Sequence, residues 1–210
     1  MKRVLILVDI QNDFIPGGAL AVRDGLKVVP VANSLSNQKR KFFDLVVATQ
    51  DWHPPQHGSF ASSHAGKKVG DLGELGGVPQ VFWPDHCVQG SVGAQFVDSL
   101  DLSKVDRVFQ KGTDLSIDSY SGFFDGAHKK STGLGDYLKN EKVTDVYILG
   151  LATDYCVKYT ALDALDLGFH VWVVEDGSKG VDLVSGDVER AMEEMRRKGI
   201  RLIQSQACIG

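Results

Sequence analysis

The chain has 210 residues, enough for one α/β domain with a buried core and slightly too few for two, so we predict a single domain over residues 1–210. Its 23 basic and 27 acidic residues leave a net charge of −4, without the basic patch that nucleic acid binding requires. The three cysteines, Cys87, Cys156 and Cys208, are too few and too odd in number for a disulfide framework, so we expect reduced thiols.

The first residues, "MKRVLILVDIQNDF", have the basic start and apolar run of a signal peptide, but Asp9 interrupts the run. The run is too short for a signal, no small-residue cleavage site follows, and no later segment approaches the ~20 apolar residues of a membrane span. We therefore expect a soluble, cytoplasmic protein without a membrane partner.

Six apolar runs bounded by turn residues predict strands over residues 3–10, 44–51, 106–112, 145–152, 170–176 and 200–205. Helical spacing predicts helices over residues 25–40, 131–140, 154–168 and 187–199. Strands that alternate with helices indicate an α/β fold with a mainly parallel, six-stranded sheet covered on both faces, which is a three-layer α/β/α arrangement.

Residues 51–90 differ from the rest because they are rich in Gly, Pro and His and have no clear period. A connection of this length is uncommon in a compact domain and is usually functional. We therefore predict a loop here that belongs to the metal and substrate site.

Polar residues close or closely follow several predicted strands: Asp9, Asp51, Lys111, Cys156 and Asp176. Ligands of open parallel sheets bind outside the carboxyl ends of the strands, so these residues are candidates for the site. Taken alone, Asp9 is as well explained by a turn or helix cap, and Lys111 by a solvated surface charge.

Cys156 lies in the first turn of a predicted helix, with Thr153 or Asp154 as the N-cap. The apolar face of that helix is formed by Val157, Ala161, Leu162 and Leu165. The amide groups and the dipole of a helix start favour the thiolate form, although a buried structural cysteine is the alternative. A carboxylate that accepts the thiol proton and an ammonium that holds the carboxylate ionised would complete a nucleophilic triad of Asp9, Lys111 and Cys156.

A metal site is indicated by Asp51 and His53, which are two residues apart and point the same way on an extended segment. His86 would complete a set of one carboxylate and two imidazoles with open positions. His57 and His64 are further candidates, and Cys87 beside His86 is an alternative ligand because thiolates also bind zinc.

Five motifs occur together and in order: "VDIQNDF", "ATQDWHP", "WPDHCVQG", "KGTDLSIDSYSGF" and "GLATDYCVKYTALDALDLGF". They resemble those of the bacterial nicotinamidases (pyrazinamidase/nicotinamidase) of the isochorismatase-like cysteine hydrolase superfamily, over about residues 3 to 204. The resemblance implies a Rossmann-like six-stranded sheet and hydrolysis of nicotinamide to nicotinate and ammonia in NAD salvage, with pyrazinamide as a further substrate.

The resemblance also implies the roles of individual residues. Asp9 is the expected base, Lys111 its partner and Cys156 the nucleophile. The expected metal ligands are Asp51, His53 and His86, which would hold one divalent ion, zinc first and iron or manganese next, in contact with the pyridine nitrogen and bound water. No organic cofactor is expected.

The same resemblance implies a ring pocket and an oxyanion site. The pocket residues would be Phe14, Trp83, Tyr120, Ala152 and Tyr155, although each aromatic side chain could equally be core. The bond between Leu151 and Ala152 should be cis, so that the N–H groups of Ala152 and Cys156 face an oxyanion. Whether the chain forms a homo-oligomer is left open by the sequence.

Three rival functions remain from the sequence. An isochorismatase cleaves a vinyl ether and needs no cysteine nucleophile. An amidase for a carbamoyl or ureido compound would not require the aromatic residues and the metal. A non-catalytic metal-binding or thiol redox protein is a third possibility, but the chain contains no C-x-x-C motif.

Overall fold

The computed structural model describes residues 1–209. Its strands are β1 (Arg3–Val8), β2 (Leu45–Asp51), β3 (Leu72–Leu75), β4 (Val78–Val81), β5 (Arg107–Lys111), β6 (Asp145–Leu151), β7 (His170–Lys179) and β8 (Arg201–Ile203). The α-helices are α1 (Val28–Ser36), α2 (Leu134–Asn140), α3 (Lys158–Asp166) and α4 (Asp187–Lys198), and a π-helical turn, Thr153–Val157, precedes α3. None of the helices within residues 1–209 combines the length and the apolar character needed to cross a bilayer.

The six predicted apolar runs form one sheet in the order β5-β2-β1-β6-β7-β8, and every neighbouring pair is parallel. The predicted fold class is therefore confirmed. The chain builds outward from β1 in one direction through β2 and β5, then returns to the other side of β1 with β6. The strand order thus reverses between β1 and β6, and a ligand crevice is expected beyond the carboxyl ends of these two strands.

Both faces of the sheet are buried, as the near-continuous hydrophobicity of the strands predicts. Leu5 and Leu7 of β1 pack on one face in a cluster that includes apolar residues of α1. Val4, Ile6 and Val8 pack on the other face with apolar residues of α2, α3 and α4. The alternating side chains of a single strand therefore divide the core into two layers.

The prediction of an unstructured loop over residues 51–90 is wrong for one segment. β3 and β4 form an antiparallel hairpin within it. Gly76 and Gly77, both with positive φ, make the turn, and a Gly-Gly pair between two short apolar runs is the hairpin signal that the analysis missed. Pro79 in β4 is tolerated because this sheet has only two strands, and both are edges.

Candidate active site

Asp9, Lys111 and Cys156 meet beyond the carboxyl ends of β1, β5 and β6. The Nζ atom of Lys111 lies 2.9 Å from Oδ2 of Asp9 and 3.4 Å from Sγ of Cys156. The same Nζ donates hydrogen bonds of 2.7 Å to Oδ1 of Asp51 and 2.9 Å to the carbonyl oxygen of Ser119. Lys111 is only 2% exposed, so these contacts replace its hydration. The alternative explanation of Lys111 as a solvated surface charge is therefore wrong.

Hydrogen bonds from nearby side chains fix the positions of Asp9 and Asp51, the two acidic residues that contact Lys111. Asp9 directly follows β1 with a φ of 48°, and Oγ1 of Thr49 in β2 donates to its Oδ1 at 2.6 Å. The side chain of Gln11 pairs with the backbone of Asp51 at both ends, since its Nε2 donates to the Asp51 carbonyl and its Oε1 accepts from the Asp51 N–H, each at 2.8 Å. The Gln11 amide thus forms the two hydrogen bonds that a neighbouring strand would form with the Asp51 backbone, and it fixes the orientation of Asp51.

Cys156 lies on the π-helical turn, so the predicted position at a helix start is correct but the predicted N-caps are wrong. Ala152 occupies the N-cap position and no side chain caps the turn. The hydroxyl of Thr153 is buried without a hydrogen-bond partner among residues 1–209, and the Asp154 carboxylate bonds to a distant loop instead. The Leu151–Ala152 peptide bond is cis, as expected.

Burial and the charges around Cys156 oppose the preference for the thiolate that a helix start gives. Burial raises the pKa of the Cys156 thiol well above its ordinary value, Lys111 opposes this shift, and the charges of Asp9 and Asp51 reinforce it. Burial also raises the pKa of Asp9 against the opposing charge of Lys111. The raised pKa of the sulfur favours its protonated form, and a neighbouring carboxylate with a raised pKa is suited to accept the proton.

Asp51, His53 and His86 form a cluster suited to a metal ion. Oδ2 of Asp51 lies 3.5 Å from Nε2 of His53 and 3.8 Å from Nε2 of His86. Each imidazole donates its Nδ1–H to a backbone carbonyl at 2.8 Å, from His53 to Gly112 and from His86 to Pro84. In the neutral rings this arrangement directs the Nε2 lone pairs at the cluster, as in metal sites where a carbonyl orients the ligating histidine.

The electrostatics of the cluster agree with this fit. Nε2 of His53 is buried and has no hydrogen-bond partner among the described residues, so it is a buried polar atom that a metal would satisfy. Burial alone would lower the pKa of His53, but the Asp51 carboxylate outweighs it and raises that pKa to about 9, so a metal ion would have to displace the proton from Nε2. Burial would raise the pKa of Asp51, but Lys111 and His53 hold it far below its usual range.

The other candidate ligands fit less well. His57 stacks on His53 and lies near Asp118, but its Nδ1 accepts the Ser59 backbone N–H at 3.2 Å, so in the neutral ring Nε2 carries the hydrogen and has no lone pair for a metal. His64 bonds through Nε2 to the Gly58 carbonyl at 2.7 Å. Cys87 is a buried thiol within the core cluster of one sheet face.

A mainly apolar cavity adjoins both clusters. All five predicted pocket residues line it, namely Phe14, Trp83, Tyr120, Ala152 and Tyr155, together with Asp51, His86 and Cys156. Trp83 and Tyr120 are fixed to each other by a 3.0 Å hydrogen bond from the indole Nε1 to the phenol oxygen. The cavity is narrow, with a free volume of about 20 Å³.

The cavity also has walls that the sequence analysis missed. Leu20, Asp118 and Val181 line it, and none belongs to a motif that carries chemistry by itself. Asp118 could have been found from its place two residues before Tyr120, whereas no local pattern distinguishes Leu20 or Val181. Asp176, a candidate by its strand-end position, instead accepts hydrogen bonds from the backbone and hydroxyl of Ser205 and takes no part in the clusters above.

Comparison with known proteins places this architecture in a family. The isochorismatase domain family matches residues 3–207. A nicotinamidase of Escherichia coli (strain K12) is 48% identical over 200 residues, which cover 95% of this chain and 93% of that protein. A solved nicotinamidase/pyrazinamidase of Acinetobacter baumanii superposes with a TM-score of 0.94 at 43% identity, covering 99% of this chain and 98% of that one.

A second solved structure, the pyrazinamidase of Pyrococcus horikoshii in complex with zinc, has a TM-score of 0.79 at 41% identity and covers 97% of this chain and 99% of that one. The family match spans nearly the whole chain, and the relatives share its sequence and its fold over the same extent. The chain therefore belongs to the isochorismatase domain family.

Proposed function

We propose that this protein hydrolyses nicotinamide to nicotinate and ammonia, with Cys156 as the nucleophile. The observation that carries the proposal is the contact of one buried ammonium, Lys111, with Asp9, Asp51 and the Cys156 sulfur beside a cavity walled by aromatic rings. The nicotinamidase names of the relatives support the choice of substrate. An aromatic wall suits a flat pyridine ring better than it suits a carbamoyl or ureido compound.

The reaction begins with proton transfer from the Cys156 thiol to Asp9, which frees the sulfur to attack the amide carbonyl carbon. The carbonyl oxygen becomes a tetrahedral oxyanion, for which the backbone N–H groups of Ala152 and Cys156 are the proposed donors. Each donor of this kind contributes roughly 3 kcal/mol in comparable acyl-transfer sites. Lys111 keeps its positive charge and offsets the negative charge that accumulates.

The second half of the reaction restores the thiol. Asp9 returns the proton to the amide nitrogen, the carbon–nitrogen bond breaks, and ammonia leaves behind a thioester on Cys156. Asp9 then takes a proton from the attacking water, whose oxygen bonds to the thioester carbon. The sulfur leaves and recovers the proton from Asp9, and the carboxylic acid so formed loses its proton to water and departs as nicotinate.

Asp51, His53 and His86 are the proposed ligands of one divalent ion. The donor set of one carboxylate and two imidazoles, oriented by backbone carbonyls, favours zinc, with iron or manganese as alternatives. When bound, such an ion supplies a Lewis acid beside the ring cavity for a ring nitrogen or a water. The zinc complex of the Pyrococcus horikoshii relative supports this assignment.

Pyrazinamide is proposed as a second substrate because it has the same carboxamide on a ring of the same size. We also propose that the enzyme works in the cytoplasm, in the salvage of nicotinamide for NAD synthesis. The sequence leaves the oligomeric state open, and sedimentation would determine it.

The proposal is tested by ammonia release from nicotinamide. We expect turnover by the wild-type protein, loss of turnover in Cys156→Ala, and nicotinamide binding by calorimetry that is largely retained in that variant. Cys208→Ala removes a buried thiol outside the site and should keep its activity. Ammonia release by Cys156→Ala would refute the role of this thiol.

A further inference from the structure

Asp154 is a buried charged group that the proposed reaction does not use. It lies in the same turn as Cys156 and is only 5% exposed. Its carboxylate accepts the Val181 N–H through Oδ1 at 2.9 Å and the Asp182 N–H through Oδ2 at 2.8 Å. Both oxygens thus bind the connection between β7 and α4.

The connection between β7 and α4 packs closely against the Asp154 carboxylate. A Cβ atom at Gly180 would lie 2.8 Å from Oδ1 of Asp154 and 2.2 Å from Cγ2 of Val188, so any larger residue would displace one of these side chains. Beyond Asp182 the segment turns to solvent, with Leu183 42% exposed and Val184 63% exposed. Asp154 is therefore the buried anchor of an otherwise exposed loop.

Val181, which this anchor holds, is a wall of the ring cavity. It lines the cavity together with Ala152, Tyr155 and Cys156 and is half-buried. The cavity is narrow, and a side chain on an exposed loop can shift further than one in the sheet. The strength of the anchor then limits how far this wall moves.

We infer that Asp154 is a positioning residue that sets which rings the site accepts, by holding Val181 against the cavity from the nucleophile turn. The inference rests on the proposed function and names its substrate class: pyridine carboxamides without a bulky ring substituent on the side that faces Val181. The same carboxylate joins the loop to the turn that carries Cys156, so the wall and the sulfur keep a fixed separation.

The test is a double-mutant cycle that compares nicotinamide with a panel of ring-methylated nicotinamides. In Val181→Ala, we expect kcat/KM for at least one methylated compound to rise about tenfold relative to nicotinamide, the effect of room for one methyl group. In Asp154→Asn, one backbone N–H loses its acceptor, and we expect the same compound to gain about fivefold, mainly through KM.

The double variant decides whether Asp154 acts through Val181. If it does, Asp154→Asn adds less than about twofold in the Val181→Ala background, because coupled residues are not additive. If the effects of the two single substitutions on the kcat/KM ratio simply multiply in the double variant, the inference is wrong. The matched control is Asp187→Asn, the same chemical change at a half-buried residue outside the cavity that accepts the Val184 N–H of the same loop at 2.9 Å, and it should leave the selectivity unchanged.

A second measurement does not depend on catalysis. In Asp154→Asn, hydrogen exchange at the Val181 and Asp182 amides should accelerate at least about tenfold while the amides of β1 and β6 stay protected. Unchanged exchange at these two amides would refute the anchor. If the wild-type protein releases no ammonia from nicotinamide, the proposed function fails, and the exchange rates still decide whether Asp154 holds the loop.

Discussion

Lys111 is the residue on which the charges of the site converge. It neutralises parts of two buried carboxylates, Asp9 and Asp51, and touches the sulfur of Cys156. Burial would lower the pKa of Lys111, but the two carboxylates outweigh burial and raise it well above its usual value. The ammonium therefore stays charged through the reaction and serves as a fixed counter-charge, while the proton moves between sulfur and Asp9.

The hydrogen bond from Thr49 to Asp9 leads to a prediction about pH. Burial raises the pKa of Asp9, and the Thr49 hydroxyl is among the groups that oppose this shift. Thr49→Val keeps the shape but removes the donor, so the pKa of Asp9 should rise further. Because the reaction needs ionised Asp9, the acidic limb of the kcat/KM profile should move to higher pH, with a several-fold loss of activity below neutrality and little loss above it.

The control for this change is Thr160→Val, which alters a buried threonine outside the cavity that accepts a hydrogen bond from the Gly122 N–H. It should lower stability by about 1 kcal/mol and leave the acidic limb in place. A limb that does not move in Thr49→Val would contradict the role of Asp9 as the base.

At the scale of secondary structure, the site depends on how closely β1 and β6 approach each other. Gly150 in β6 has a φ of 133°, and a Cβ atom there would lie 2.1 Å from the Val8 carbonyl oxygen in β1. The register of β6 against β7 also shifts between Ile148 and Gly150. Only glycine permits this irregular strand end, which directs the chain into the turn that carries Cys156.

Gly150→Ala should therefore destabilise the protein by more than about 3 kcal/mol, because the new methyl group collides with backbone and cannot rotate away. The matched control is Gly168→Ala, at a glycine with a φ of 89° and open space around it, where only the backbone conformation is unfavourable. It should cost about 1 to 2 kcal/mol. Urea unfolding of both variants measures the difference, and equal losses would show that the contact with β1 is unimportant.

At the scale of the whole molecule, the net charge is modest, but several buried charged side chains lie together at the carboxyl ends of the parallel strands. Two carboxylates share one ammonium there, beside two imidazoles whose Nε2 atoms face Asp51. Buried charge without full compensation lowers stability. In the metal-free protein the raised pKa of His53, about 9, supplies a second positive charge, and a divalent ion that binds only the folded protein would replace the His53 proton.

Metal binding should therefore stabilise the folded state. Zinc at about a hundred times its dissociation constant should add ~2.7 kcal/mol to the free energy of unfolding, and chelation should remove this gain. His86→Ala should abolish the zinc-dependent shift in the thermal midpoint. His64→Ala changes a histidine that bonds to Gly58 away from the cluster and should preserve the shift. Loss of the shift in both variants, or in neither, would contradict the proposed ligand set.

Much of this protein was predictable from its sequence. Strands buried on both faces show near-continuous hydrophobicity, so the six strands of the sheet were found, with small differences at their ends. The carboxyl ends of parallel strands lie at the same side of the sheet. Residues such as Asp9, Lys111 and Cys156 could therefore be expected to lie close together before any distance was known. Both results follow from local pattern combined with a general rule of sheet topology.

Only the tertiary structure decided the remaining features, because they depend on contacts between distant segments. The raised pKa of the Cys156 thiol depends on burial and on charges from three other strand ends. The partner of Asp154 lies 27 residues away, in a loop that no local pattern connects to it. Leu20 and Val181 became cavity walls for the same reason: hydrophobicity predicts that a side chain is buried, whereas packing determines what it is buried against.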